Sequence, residues 1–229
     1  MFDGNWELIN GPDAHHIEIL NYSNQVNVIE GLFRLLSGKF GIEASAGCPV
    51  CPNVTALKAL HHTGTLFLLE KPGEFRESEV HISKSDGTIV YNPPTWTEVP
   101  KHMAEFEAEL GSMWAKVDVL TVAAFTLWKI NWIHPFKNGN GRAARAFAYS
   151  CMCLKVGFML PGQVTVIDLI MTNKPDFEAA LGVADKTFAE TGVVDLEPMK
   201  AFVERLLVEQ FQSVPKPDAA PEPSEPSQS

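Results

Sequence analysis

Apolar residues recur at helical spacing along most of the chain. Val26, Ile29, Leu32, Phe33 and Leu36 share one face between Gln25 and Leu36, and Ser37-Gly38 marks a stop, so the spacing predicts a helix over 25–36. Asn53 can cap a second helix through His62, with Val54, Leu57 and Leu60 three apart. From Lys101 to Trp114, Met103, Phe106 and Leu110 repeat the pattern, and Val117 to Ile130 is apolar almost all round, the mark of a helix at the centre of a helical domain. Further helices are expected over Gly141–Val156, ended by Gly157, over Asp176–Phe188 and over Pro198–Phe211. One segment differs in kind. Between Val80 and Tyr91 apolar residues alternate on either side of Asp86-Gly87, which predicts a β-hairpin. Many helices and one hairpin give a mainly α fold.

Composition narrows the function classes. The 229 residues hold 28 acidic and 18 basic side chains, a formal charge of −10, so binding to nucleic acid is disfavoured outside a local basic pocket. The most apolar stretch, Val117 to Ile133, is interrupted by Asp118, Thr121, Thr126, Lys129 and Asn131, which argues against a membrane span. The opening Met1-Phe2-Asp3-Gly4-Asn5 has neither a basic nor an apolar leader region, and the expectation is a cytoplasmic protein. From Ser213 to Ser229 five prolines alternate with Ser, Glu and Gln, a composition that cannot offset the entropy of ordering and predicts a disordered tail.

Four cysteines form two close pairs, Cys48/Cys51 and Cys151/Cys153. Four thiolates could hold one zinc, but Cys151 and Cys153 lie two apart on a predicted helix and point to different faces, so buried thiols are preferred there. Cys48 and Cys51 fall in a Gly/Pro-rich stretch, as a redox pair or as plain loop residues.

The chemistry concentrates between the central helix and its successor. Gly139-Asn140-Gly141 can turn successive backbone N–H groups inward at the N-terminus of a helix, an anion-binding arrangement reinforced by the helix dipole. Arg142 and Arg145, three apart, can fork around phosphate oxygens, and the neutral imidazole of His134 can take a proton from a hydroxyl attacking that phosphate. Singly, each feature has an ordinary reading as a packed histidine, a turn or a solvated face. Together within a dozen residues they are what phosphoryl-type transfer needs. The chain has no P-loop signature.

The run His134-Pro135-Phe136-Lys137-Asn138-Gly139-Asn140-Gly141-Arg142-Ala143-Ala144-Arg145 resembles the signature of the Fic domain family, H-P-F-x-[D/E]-G-N-G-R-x-x-R, at every fixed position but one. Pro72 to Arg76, Tyr91 to Pro94 and Asp176 to Leu181 are similar to that family's flanking segments, and the resemblance spans about residues 54 to 207. It implies a Fic-type helical domain over 54–212 with a β-hairpin flap, an N-terminal helical extension over 1–53 and the tail over 213–229.

The family's usual activity is transfer of AMP from ATP to a Ser, Thr or Tyr hydroxyl of a target protein, with Mg²⁺. On that resemblance His134 is the general base, Phe136 anchors the loop, and Gly139, Asn140, Gly141, Arg142 and Arg145 bind the phosphates. The flap residues Val80, Ile82, Ile89 and Tyr91 would align the target as an added strand. Asn138 stands where the family carries the metal-binding Asp or Glu; it offers a neutral oxygen, so metal affinity should be weaker, with Lys137 beside it as a partial substitute for charge. This leaves three outcomes: slower AMP transfer; transfer of another group such as UMP, GMP, phosphocholine or, as in the Doc branch, phosphate; or loss of catalysis, which would leave a binding module. Val26-Asn27-Val28-Ile29-Glu30-Gly31 is similar to the family's inhibitory helix motif without its Ser or Thr, and implies a pairing of Glu30 with Arg145. The expected partners are a protein target and a homo-oligomeric copy or antitoxin-like regulator, with no nucleic acid and no membrane; delivery as a secreted effector stays open.

Overall fold

The structure, a computed structural model, describes residues 6–37, 50–83 and 86–215. Its centre is the apolar helix the sequence singled out, α4 (Val119–Ile133), capped by the Asp118 carboxylate accepting from the Thr121 N–H at 2.8 Å. Ten of its fifteen residues are buried. It packs chiefly on α5 (Asn140–Val156), whose buried residues include Ala143, Ala144, Phe147, Cys151 and Leu154. The alanines let the two helix axes approach closely.

Around this pair stand α1 (Pro12–Leu36), α2 (Val54–Thr65), α3 (Val99–Met113), α6 (Val166–Thr172), α7 (Lys174–Thr191) and α8 (Glu197–Gln212). Eight α-helices and one two-stranded antiparallel sheet make the described residues mainly α, as expected. Asn53 does cap α2, its side chain accepting from the Ala56 N–H at 3.1 Å. The hairpin pairs β1 (Ile82–Ser83) with β2 (Ile89–Tyr91) in the register Ile82 to Tyr91 and Ser83 to Ile89.

Two elements depart from the periodicity. Helix α6 was not anticipated; it is seven residues long and set by a capping box in which Thr165 and Asp168 satisfy each other's backbone N–H. Helix α1 begins thirteen residues before the predicted Gln25, because its buried face carries Ala14, Glu18, Asn21 and Gln25 before it reaches Ile29 and Phe33. Polar residues at core-facing positions hide the helix from an apolar count. Val26, assigned to the apolar face, is 39% exposed.

Cys151 and Cys153 are both buried, and burial pushes the Cys153 thiol up to about 11. They are inert apolar residues. Cys51 is half-buried, and Cys48 lies outside the described residues. At the C-terminus the folded part includes Ser213, whose hydroxyl accepts from the Gln163 N–H at 2.9 Å. The rest of the predicted tail, from residue 216, lies outside the described residues. Among the described residues no helix is long and apolar enough to cross a membrane.

Candidate active site

Helix α4 ends at His134, whose backbone is left-handed (φ 51°, ψ 58°). That region is costly for a side chain with a Cβ and persists only where the surroundings enforce it. Arg76 does so. It is 4% exposed, and its Nε donates to the His134 carbonyl at 2.8 Å, its backbone N–H to the Pro135 carbonyl at 2.9 Å, and its Nη1 to the Ser78 carbonyl at 3.2 Å. Nη2 reaches the Pro94 carbonyl. One guanidinium thus ties the His134-Pro135 turn to both feet of the hairpin.

The next residues are fixed from two sides. Phe136 is fully buried, and Asn140 clamps its peptide, accepting from the Phe136 N–H and donating to the Phe136 carbonyl, both at 2.8 Å. The His61 ring stacks on Phe136 with centroids 3.7 Å apart and planes 9° from parallel. His61 Nδ1 accepts from the Gly73 N–H at 2.8 Å, so its proton is on Nε2, which donates to the Asn138 carbonyl at 2.8 Å. Burial drives the His61 pKa down to about 4, and the imidazole is neutral at ordinary pH.

Gly139 caps α5 at φ 75°. A Cβ there would also lie 2.6 Å from Thr65 Cγ2, so glycine is required twice over. Of Gly139-Asn140-Gly141 only Gly139 is left-handed; the other two open the helix. The expected inward turn of successive N–H groups is therefore made by one left-handed residue and a helix N-terminus. The Ala143 N–H bonds the Gly139 carbonyl at 3.0 Å, and the N–H groups of Asn140, Gly141 and Arg142 before it have no intrahelical acceptor.

Arg142 does not fork outward as the spacing suggested. Nη2 donates to Glu18 Oε1 at 2.8 Å, Nη1 donates to the Gly64 carbonyl at 2.6 Å, and the guanidinium lies 5.1 Å from the centre of the Trp6 ring. Trp6 Nε1 donates to the same Glu18 oxygen at 2.9 Å. Glu18 is 1% exposed. One turn on, the Tyr22 hydroxyl donates to Asp168 at 2.6 Å; burial and that carboxylate raise its pKa to about 12, while Arg145 pulls the other way. Arg145 itself lies over Gly141, where a Cβ would be 3.2 Å from its Nη1.

A family profile, Fic/DOC family, matches residues 52–152. This segment is a Fic/DOC family domain. No curated protein matches the chain. Among solved structures it is similar to a Fic family protein from Desulfovibrio desulfuricans G20, at 20% identity and TM-score 0.59, over 90% of this chain and 55% of that one. It is also similar to a Fic domain containing signaling protein from Bacteroides thetaiotaomicron VPI-5482, at 15% identity and TM-score 0.61, over 84% of this chain and 69% of that one. A third is Fic-1 from C. elegans, at 18% identity and TM-score 0.57, over 93% of this chain and 52% of that one. The chain spans about half the length of the first and third. At these identities the likeness is one of fold.

Three expectations change. Glu30 pairs with Arg34 one helical turn away, on the exposed side of α1. The carboxylate of α1 that reaches a motif arginine is Glu18, twelve residues earlier, and it meets Arg142. Twelve residues correspond to about 18 Å along a helix, which puts the two carboxylates at different ends of α1. Tyr91 turns inward, its hydroxyl donating to the Trp132 carbonyl at 2.6 Å, and so anchors the flap. Ile89 and Val90, 49% and 51% exposed, are the apolar surface the hairpin offers, with Val80 and Ile82 half-buried. Lys137 is exposed and ion-paired with Glu7.

The third change concerns the metal. The side-chain oxygen of Asn138 already accepts from the Gly139 N–H at 2.7 Å, and its carbonyl is taken by His61. Among the described residues no group of three or more His, Cys, Asp or Glu could hold an ion. Mg²⁺ favours one or two carboxylates together with phosphate oxygens, and this donor set does not fit it. Sequence reading missed His61, Arg76 and Glu18. His61 and Arg76 lay inside segments already noted, Glu18 in none, and none of the three falls in the motif.

Proposed function

We propose that the Fic domain transfers AMP from ATP to a Ser, Thr or Tyr hydroxyl of a protein target, with His134 as the general base. The observation that carries this reading is the pairing of a histidine, pinned by Arg76 at the end of α4, with the open N–H groups at the start of α5. In the step, His134 takes the hydroxyl proton as the hydroxyl oxygen attacks the α-phosphorus. The bond to the bridging oxygen breaks and pyrophosphate leaves. Its charge would fall on the α5 N-terminus, Arg145 and Arg142, and Arg142 must first leave Glu18. The exposed residues Ile89 and Val90 would receive the target as an added strand on the hairpin.

A second reading, transfer of another nucleotide or phosphate group or a non-catalytic module, is favoured by the neutral Asn138 and the occupied Arg142. Incubation with cell lysate, Mg²⁺ and ATP labelled at the α or the γ phosphate separates them. Label from α-labelled ATP alone, reduced about 10²–10⁴-fold in His134→Ala, supports AMP transfer. Label from γ-labelled ATP alone overturns it in favour of phosphorylation, and nucleotide binding without label in either case favours the module.

A further inference from the structure

A cavity of about 430 Å³ opens between α3, α4 and α7, within the range of small-molecule sites. Its walls are Trp128, Trp132, Phe125 and Phe188, and its rim carries Glu105 and Glu109. Lys129 points into this aromatic box. It is only 5% exposed, and its ammonium lies 5.3, 5.2 and 5.5 Å from the ring centres of Trp128, Trp132 and Phe188. Its ion pair is with Glu109, at 3.5 Å, and that carboxylate is half-exposed. Among the described residues the ammonium makes no hydrogen bond. An ammonium has three N–H donors, and ring faces satisfy its charge but not those donors.

We propose that this pocket binds a small aromatic monocarboxylate, with its carboxylate on Lys129 Nζ and its ring against Trp128, Trp132 and Phe188. Three features select that chemistry. The cation position inside the box is already filled by Lys129, whose N–H donors call for an acceptor and not for a second cation. Glu109 is a half-exposed surface group that a ligand carboxylate can replace. A dianion would meet Glu105 and Glu109 at the mouth, which favours a single negative charge. The Trp132 carbonyl holds the flap through Tyr91, so the pocket shares a wall with the base of the hairpin. The site is separate from the motif loop and stands whether or not the domain transfers AMP.

The probe is phenylacetate, followed by saturation-transfer NMR and by tryptophan emission, with phenylacetamide and phenethylammonium as the neutral and cationic counterparts. The expected result is saturable phenylacetate binding, at least tenfold tighter than phenylacetamide. Lys129→Met should remove that preference, and Glu109→Gln should tighten phenylacetate several-fold. Because Glu109 is at the surface, that second variant tests the assignment even if Lys129→Met does not fold. Absence of saturable phenylacetate binding, equal affinity for phenylacetamide, tighter binding of phenethylammonium, or no gain in Glu109→Gln would each overturn the proposal.

Discussion

Glu18→Gln separates the two roles the Glu18–Arg142 pair can have. The substitution keeps the shape of the side chain and an oxygen to accept from Trp6 Nε1, but removes the negative charge opposite a guanidinium that is 11% exposed. Losing one partner of a buried pair costs about 3–5 kcal/mol, and the Gly64 carbonyl and the Trp6 ring, which remain, argue for the lower end, about 3 kcal/mol. For a domain of this size that corresponds to a fall in Tm of about 6–12 °C. The same change should help an anion. In the wild type a phosphate must displace Glu18 from Arg142; in the variant it does not, and regaining about 1.4 kcal/mol of that cost is a tenfold gain in affinity. The assay pairs thermal unfolding with calorimetric titration of ATP and of pyrophosphate without divalent cations. A lower Tm accompanied by tenfold tighter anion binding is the expected outcome. If the variant loses stability while anion affinity stays level or falls, Glu18 is a structural partner only, and the reasoning that it occupies a phosphate position is wrong.

Three further outcomes follow from the loop's surroundings. His61 has a folded pKa of about 4 against about 6.5 unfolded, so its contribution is complete above pH 6.5 and is lost as pH falls towards 4; the difference is about 3 kcal/mol, and His61→Gln should flatten urea-unfolding free energies across that window. Asn138→Asp restores a carboxylate beside the α5 N-terminus and should make ATP affinity at least tenfold more responsive to added Mg²⁺ than in the wild type, read by titration with and without the ion. Arg76→Lys retains the charge but cannot reach the His134, Ser78 and Pro94 carbonyls together; it should cost about 2–3 kcal/mol in denaturant unfolding and lower transfer more than nucleotide binding.

How far the sequence revealed this arrangement depends on what each signal reports. Helix α4 was legible because a helix apolar on all sides has few places to go, and the motif loop because its glycines, asparagine and arginines are dense and specific in spacing. Helix α1 was half legible. Its C-terminal half buries Ile29 and Phe33, but its N-terminal half buries Glu18, Asn21 and Gln25, which act through hydrogen bonds to Arg142, Leu66 and Leu60 that no periodicity encodes. The role of His61 was invisible for a related reason. Nothing local marks it, and only the packing of α2 on the loop brings its ring over Phe136 and its Nε2 to the Asn138 carbonyl. Tyr91 read as a flap residue because alternation gives the face of a strand and not its partner; its hydroxyl found a carbonyl freed by the end of α4.

The charges of the loop explain why the N-terminal segment lies where it does. Residues 134–145 carry Lys137, Arg142 and Arg145 and no carboxylate, because Asn138 is neutral where the family has an acid. Three positive charges beside a helix N-terminus repel one another and the dipole, and they demand anions. Two come from the N-terminal segment, Glu7 on Lys137 and Glu18 on Arg142, while Arg145 and Asp168 act in opposite directions on Tyr22 between them. These contacts differ in durability. Lys137 is 57% exposed and its pair with Glu7 should weaken as ionic strength rises, whereas Glu18 is buried with Arg142 and should be little screened. A phosphate approaching the loop therefore meets a weak competitor at Lys137 and a strong one at Arg142. Salt should weaken ATP binding less in the wild type than in Glu18→Gln, because in the variant more of the affinity is carried by an open guanidinium. Equal salt slopes for the two proteins would mean that Arg142 stays shut in both.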